Sequence, residues 1–229
     1  MKISIIVPCY NEQNFIIEVL ENINEQKKKF DLEIIVSDDG STDKTLIHLN
    51  NNTSLFDYLV TSKKNYGKGN AVKNALQKAT GDYVLIQDAD LEYSPEDYED
   101  LFDPIFKYKA DVVYGSRFNN NKSHKIMYYK NQLANKVITF FCNLFTNLNL
   151  TDVEVGYKIF KASIIKNLNL KEKSFGIEIE LTVKMSKLNL KIYEVGISYN
   201  GRSYEDGKKI RALDGFKALY YILKYKFIS

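Results

Sequence analysis

The feature that most constrains this chain is a series of short apolar runs in its first half, at residues 3–7, 32–36, 58–61, 83–87 and 110–114. They are rich in Ile, Val, Leu and Tyr and do not alternate with polar residues, the pattern of strands covered on both faces. The stretches between them have helical spacing. Phe15, Ile16, Val19, Leu20 and Ile23 fall on one face, and residues 69–79 form a second helical segment closed by Gly81. Ser41-Thr42-Asp43 reads as a helix N-cap, and Ser94-Pro95-Glu96-Asp97 as a helix start with Ser as cap, Pro at the first position and acids in the first turn. Strands alternating with helices of this length predict βαβ units and a mostly parallel, right-handed α/β sheet.

The second half changes character. A polar loop at 119–124 precedes a helical stretch over 129–148, whose apolar face is Leu133, Val137, Phe140, Phe141, Leu144, Phe145 and Leu148. Residues 175–188 read as another helix and 192–198 as a strand. A last helix carries Ile210, Leu213, Phe216, Tyr220, Leu223 and Phe227. No internal repeat or linker interrupts the 229 residues, so a single domain is expected. Its halves are about 1–117, a parallel nucleotide-binding part, and about 118–229, a mixed part with possible membrane-facing helices. No apolar run reaches the 18 or so residues of a membrane span, and the first residues are too weakly apolar for a signal peptide. Two cysteines, Cys9 and Cys142, make no disulfide framework or zinc site, so a reducing, cytoplasmic setting is expected.

A net charge of +3 is too small to imply nucleic-acid binding. From Arg202 onward, however, seven Lys and Arg face only Glu205, Asp206 and Asp214. Such a tail suits an anionic partner: phosphate, diphosphate or an acidic membrane surface.

In an open parallel sheet, ligands bind beyond the carboxyl ends of the strands. Pro8-Cys9-Tyr10-Asn11-Glu12, Asp38-Asp39-Gly40-Ser41-Thr42-Asp43 and Asp88-Ala89-Asp90-Leu91-Glu92 each follow an apolar run, on strands expected to be neighbours. Carboxylates gathered this way need a cation, and hard oxygen donors together with a substrate's phosphates describe a Mg²⁺ or Mn²⁺ site. Asp-x-Asp alone is more often a turn cap; its place at a strand end favours the metal. A dinucleotide-type Gly-x-Gly-x-x-Gly is missing after the first run, and Gly67-Lys68-Gly69 reads as a turn into a helix.

These segments, together with Gly67-Lys68-Gly69-Asn70-Ala71, Gly115-Ser116-Arg117-Phe118, Thr151-Asp152, Gly156-Tyr157-Lys158 and residues 201–210, resemble the family 2 glycosyltransferases of GT-A fold, in particular their dolichyl-phosphate mannose synthase-like and bacterial polyprenyl-phosphate branch. The resemblance implies a GDP- or UDP-linked sugar donor, a divalent cation, inversion at the anomeric carbon and a polyprenyl-phosphate acceptor. It implies that Pro8, Tyr10 and Glu12 line the nucleoside pocket and that Asp39 bonds the base. Asp88, Ala89 and Asp90 would hold ribose, metal and diphosphate, with Asp90 the direct metal ligand and Glu92 a further one, where relatives usually carry Gln. Arg117 and Arg202, with Asp90, would be the catalytic groups, and Lys208 would join them at the phosphates. The 119–123 loop departs from the glycine-rich stretch of relatives, and their two-helix membrane extension is missing. The protein is therefore expected on the inner membrane surface, alone or with a small integral partner.

A phosphate acceptor is already ionised at neutral pH and needs no base. A saccharide hydroxyl, the alternative acceptor in polysaccharide or cell-wall assembly, needs a carboxylate, with Glu178 and Asp152 as candidates. An inactive nucleotide-binding partner of a membrane complex is a further alternative. Aromatic residues beside Lys217, Lys224 and Lys226, and the Phe140 face, have the composition of interfacial helices, although packing on the core explains them equally.

Overall fold

The apolar runs pair into one sheet in the order β3-β2-β1-β4-β6-β5-β7. The computed structural model describes residues 1–119, 125–126, 128–202 and 212–228. In chain order the elements are β1 (Ile3–Cys9), α1 (Ile16–Gln26), β2 (Leu32–Asp38), α2 (Thr45–Asn51), β3 (Tyr58–Thr61), α3 (Lys68–Leu76), β4 (Tyr83–Ile86), α4 (Tyr98–Tyr108), β5 (Val112–Ser116), α5 (Tyr129–Thr146), β6 (Lys158–Lys161), α6 (Ala162–Ile165), α7 (Ile177–Met185), β7 (Ile192–Gly196) and α8 (Ala212–Phe227). Strands β3, β2, β1 and β4 run parallel, as expected. Every residue of β1, β2, β4 and β5 is buried, which accounts for their unbroken apolar runs. The edge strands β3 and β7 are only partly covered.

Three local expectations are corrected. A strand not read from the sequence, β6, runs antiparallel between β4 and β5, in a sheet that is otherwise parallel, as expected. Its sequence, Lys-Ile-Phe-Lys, is short and charged at both ends, which hides a strand. Strand β2 extends through Ser37 and Asp38, which pair with Pro8 and Cys9. Ser41 and Thr42 do not cap α2. The Oγ of Ser41 accepts the Asn11 N–H (2.9 Å), the Thr42 N–H reaches the Asn11 side-chain oxygen (2.8 Å), and α2 starts at Thr45, whose N–H bonds Asp43 (2.9 Å). Ser94 caps its helix as the sequence predicts.

One buried charge fastens the parallel half. The carboxylate of Glu33 on β2 accepts the Ser4 hydroxyl (2.6 Å), the Lys2 ammonium (2.8 Å) and both the N–H (2.8 Å) and hydroxyl (2.7 Å) of Thr80. Burial opposes its charge, but these donors prevail and hold its pKa at about 2.

Helices α5 and α8 pack together, and α8 also rests on α7; in the segment before α7 the Glu172 carboxylate takes Lys224 (2.7 Å) and the Tyr225 hydroxyl (2.5 Å). The stripe α5 buries is Ile138, Thr139, Cys142 and Thr146. The apolar face read from the sequence points largely outward: Leu133, Val137, Phe140, Phe141 and Leu144 are exposed, as are Phe216, Tyr220, Leu223 and Phe227 on α8. Among the described residues no helix is long and apolar enough to cross a membrane.

Candidate active site

Chain order reverses between β1 and β4, and the crevice beyond their carboxyl ends is where an open α/β sheet binds ligands. The three acidic segments singled out in the sequence meet there, since β2, β1 and β4 are adjacent. Pro8 is the buried penultimate residue of β1, and Tyr10 and Glu12 follow on a loop turned by Asn11 in the left-handed region (φ 54°). Glu12 is buried, its N–H bonded to Thr45 Oγ1 (2.9 Å).

Asp39 has an asymmetric environment. Its Oδ2 accepts the N–H groups of Tyr66 (2.9 Å) and Gly67 (2.5 Å), whereas Oδ1 is buried with no hydrogen-bond partner. Burial pushes the carboxyl's pKa up, against those two N–H groups and the Ser62 hydroxyl. Gly67 starts α3 at φ 103°, and a Cβ there would lie 2.5 Å from the Lys173 carbonyl. Gly67-Lys68-Gly69 is thus the helix-entry turn the sequence suggested, with the Gly67 N–H committed to Asp39.

The carboxylates on either side of Ala89 are each met by a cation. Asp90 receives Arg202 Nη2 at 2.6 Å, and Nη1 of the same guanidinium reaches Glu12 at 3.1 Å. Glu92 lies 3.7 Å from Arg202 Nε and accepts the Arg202 N–H (2.8 Å) and the Tyr199 hydroxyl (3.0 Å). Asp88 receives Lys68 at 2.6 Å; Lys68 also pairs with Glu178 (2.9 Å), and Glu178 with the fully buried Lys158 (2.5 Å). Burial would discharge Lys68, yet Asp88 and Glu178 together raise its pKa. Burial also disfavours ionised Glu178, and Lys158 and Lys68 reverse this, holding its pKa below the usual range. Lys68 and Lys158 were missed as site residues in the sequence. A lysine in the first turn of a helix, where the dipole disfavours it, was the available signal for Lys68.

Asp90 remains the strained member. Burial, then Asp88 and Glu92, push its pKa up to about 7 despite Arg202. Oxygen donors with this surplus charge suit a hard divalent cation in their chemistry. No three His, Cys, Asp or Glu side chains among the described residues are arranged around one metal position; Asp90 and Glu12 pair with Arg202, and Asp88 with Lys68.

Arg117 is held at the end of β5. Its Nε and Nη2 grip Asp152 at 2.6 and 2.7 Å, its N–H adds a third bond (3.2 Å), and the guanidinium lies over the Tyr199 ring (5.2 Å). Asp152 is fully buried. Burial opposes the charge of Arg117, but Asp152 raises its pKa further. Tyr199 also lines a cavity of about 290 Å³, together with Glu92, Ser94, Lys125, Ser198 and Asn200. Lys208 and most of the 119–123 loop lie outside the described residues.

A parallel half-sheet with a carboxylate-lined crevice at its switch point defines an open α/β protein with a ligand crevice at the carboxyl ends of its strands. The model of the glycosyl transferase family 2 matches residues 4–168, and the chain belongs to that family. It is 31% identical over 176 residues to a dolichyl-phosphate β-glucosyltransferase of Dictyostelium discoideum, covering 69% of this chain and 53% of that protein. It is 34% identical over 119 residues to a dolichol-phosphate mannosyltransferase of Pyrococcus furiosus, covering 52% of this chain and 34% of that protein. The chain thus spans about half, or less, of the length of these relatives. Among solved structures, the glucosyl-3-phosphoglycerate synthase of Mycobacterium tuberculosis, crystallised with Mn²⁺, UDP and phosphoglyceric acid, superposes with a TM-score of 0.77 at 20% identity, over 100% of this chain and 79% of that one. That likeness establishes the GT-A fold.

Proposed function

We propose that the protein is an inverting glycosyltransferase that moves a sugar from a UDP- or GDP-linked donor to a polyprenyl phosphate at a membrane surface. The observation that carries the choice of acceptor is the state of the two candidate bases. Asp152 is buried with both oxygens on Arg117, and Glu178 is buried between Lys158 and Lys68. Neither is placed to accept a hydroxyl proton, whereas a phosphate acceptor needs no base. The names of the relatives, which specify dolichyl or dolichol phosphate, support the same reading.

In this mechanism the unpartnered Oδ1 of Asp39 accepts an N–H of the base, and Pro8, Tyr10 and Glu12 wall the nucleoside. A divalent ion, Mn²⁺ or Mg²⁺, held by Asp90 with Asp88 and Glu92, would stabilise the charge that grows on the departing diphosphate. Arg202 turns from the carboxylates toward that diphosphate, joined by Lys208. Arg117, fixed by Asp152, keeps a positive charge for the acceptor phosphate. The exposed aromatics of α5 and α8, beside Lys130, Lys136, Lys217 and Lys226, meet the bilayer, directly or through a small integral partner. Lys224 is occupied by Glu172 and fastens α8 instead.

The test is transfer from UDP- and GDP-sugars with Mn²⁺ to undecaprenyl phosphate in detergent, against a panel of soluble saccharides. Transfer to the lipid phosphate alone is expected. Ready transfer to a saccharide hydroxyl would replace this reading with the hydroxyl-acceptor one.

A further inference from the structure

The charges behind the crevice pair off with one another, with one left over. Arg117 is matched by Asp152, Lys158 by Glu178, and Lys68 by Asp88 and Glu178. Glu154 lies in the loop between α5 and β6, within the electrostatic reach of Lys158, Glu178, Arg117 and Asp152. Its Oε1 is sealed from water and has no hydrogen-bond partner. Burial is the largest influence on this carboxyl and lifts its pKa to about 7; Glu178 and Asp152 add to the rise, and Lys158 and Arg117 oppose it. A side chain left in this state lowers stability, and such sites persist where a ligand completes them.

The loop that carries Glu154 borders the catalytic crevice. Two residues further on, the N–H of Gly156 bonds the Tyr93 hydroxyl (3.0 Å), and a Cβ at Gly156 would collide with the Asp88 carboxylate. Two residues span at most about 7 Å of backbone. Glu154 therefore stands close to where a group attached to the diphosphate at Asp88 and Asp90 would project. A carboxylate offers acceptors only, so it suits an uncharged donor group and repels a phosphate. Of the uncharged donors of a nucleotide-sugar, the proposed function gives the base N–H to Asp39 and the ribose to the segment 88–90, which leaves the hydroxyls of the sugar.

We infer that Glu154 accepts a hydrogen bond from a hydroxyl of the sugar being transferred, and so helps to select which sugar the protein uses. This rests on the proposed glycosyltransferase reading. A site built to bond a hydroxyl discriminates against an epimer that points it elsewhere, because the buried oxygen then stays unpaired.

The experiment compares wild type, Glu154→Gln and Glu154→Ala by thermal melting, by calorimetry with UDP and GDP, and by transfer kinetics with their glucose, galactose, mannose and N-acetylglucosamine conjugates in Mn²⁺. Both variants should melt at or above the wild-type temperature, because an unpartnered buried carboxyl has been removed. UDP or GDP affinity should stay within about twofold, since neither ligand carries the sugar. For the preferred donor kcat/KM should fall by about tenfold or more, Ala beyond Gln, and the preference over its epimer should shrink by a similar factor. Unchanged ratios between epimeric donors would overturn the inference. So would a lower melting temperature with all donors weakened alike, which marks a structural role. Loss of transfer to a saccharide hydroxyl, with donor preference intact, would mark Glu154 as a base and overturn it too. A wild type that binds no sugar nucleotide would remove the glycosyltransferase reading and this inference with it.

Discussion

Replacing Arg202 by Ala tests the electrostatics of the crevice most directly. Its guanidinium and its carboxylate neighbours are largely withdrawn from water, with 13% exposure for Arg202, 14% for Asp90 and 6% for Glu12. Removing one partner of a buried ion pair typically costs about 3–5 kcal/mol, because the charge left behind is uncompensated. At roughly 2–4 °C per kcal/mol for a protein of this size, the lower bound alone corresponds to a fall of about 6–12 °C in melting temperature. The loss should depend on pH in a set direction. Asp90 has a pKa already raised to about 7, and Arg202 is what keeps it from rising further. A raised carboxyl pKa means that ionisation destabilises the fold as pH climbs from the unfolded value of about 4 through the folded one. In the variant Asp90 is protonated at pH 5.5 and the penalty is small; at pH 8 it is ionised and the penalty is full. Mn²⁺ supplies the missing charge, so it should stabilise the variant more than the wild type, in which it must displace the guanidinium. At a hundredfold excess over its dissociation constant, a bound ion adds about 2.7 kcal/mol, enough to restore most of the loss. The assay is differential scanning fluorimetry at both pH values, with and without Mn²⁺. A variant that melts within about 1 °C of wild type at pH 8, or gains less from Mn²⁺ than wild type does, would refute the reasoning.

Three other outcomes are expected. Asp39→Asn keeps an oxygen for the Tyr66 and Gly67 N–H groups but turns a donor toward the base, so UDP or GDP affinity measured by calorimetry should fall by about 5- to 150-fold, the equivalent of about 1–3 kcal/mol, while the fold is retained. Lys217 and Lys226 changed together to Gln, with the Lys224–Glu172 pair left intact, should weaken co-sedimentation with anionic liposomes by about 30-fold at low salt, at about 1 kcal/mol per lysine; an unchanged pellet would count against α8 as the docking element. Glu33→Gln should lower stability at pH 7 by about 1–3 kcal/mol in urea unfolding. Because the Glu33 pKa is depressed to about 2, its contribution is present above the unfolded value of 4.5 and lost as pH falls toward 2, so the two proteins should converge there.

The residues that became the sheet's parallel half were legible because a strand buried on both faces must be apolar throughout, and 3–7, 32–36 and 83–87 could satisfy that in one way. Once those strands are neighbours, the acids that follow them must converge, so the position of the crevice and the identities of Asp39, Asp88, Asp90 and Glu92 at its rim also follow from the one-dimensional pattern. Other features depended on distance through space. Helix α5 is apolar around most of its circumference, and the stripe it buries, Ile138, Thr139, Cys142 and Thr146, was selected by its neighbours and not by periodicity. Strand β6 is a strand because β4 and β5 both lack a partner on that side, and Lys158 is tolerated at its buried end because Glu178 and the Val155 carbonyl receive its ammonium. The pairing of charges is the most tertiary property of all. Arg202 and Glu12 stand 190 residues apart in sequence, and Arg117 and Asp152 35. Which carboxylates such cations neutralise, and which one, like Glu154, keeps a buried oxygen with no hydrogen bond, is fixed by burial and packing geometry, since a side chain's charge is written in the sequence but its solvent and its neighbours are not.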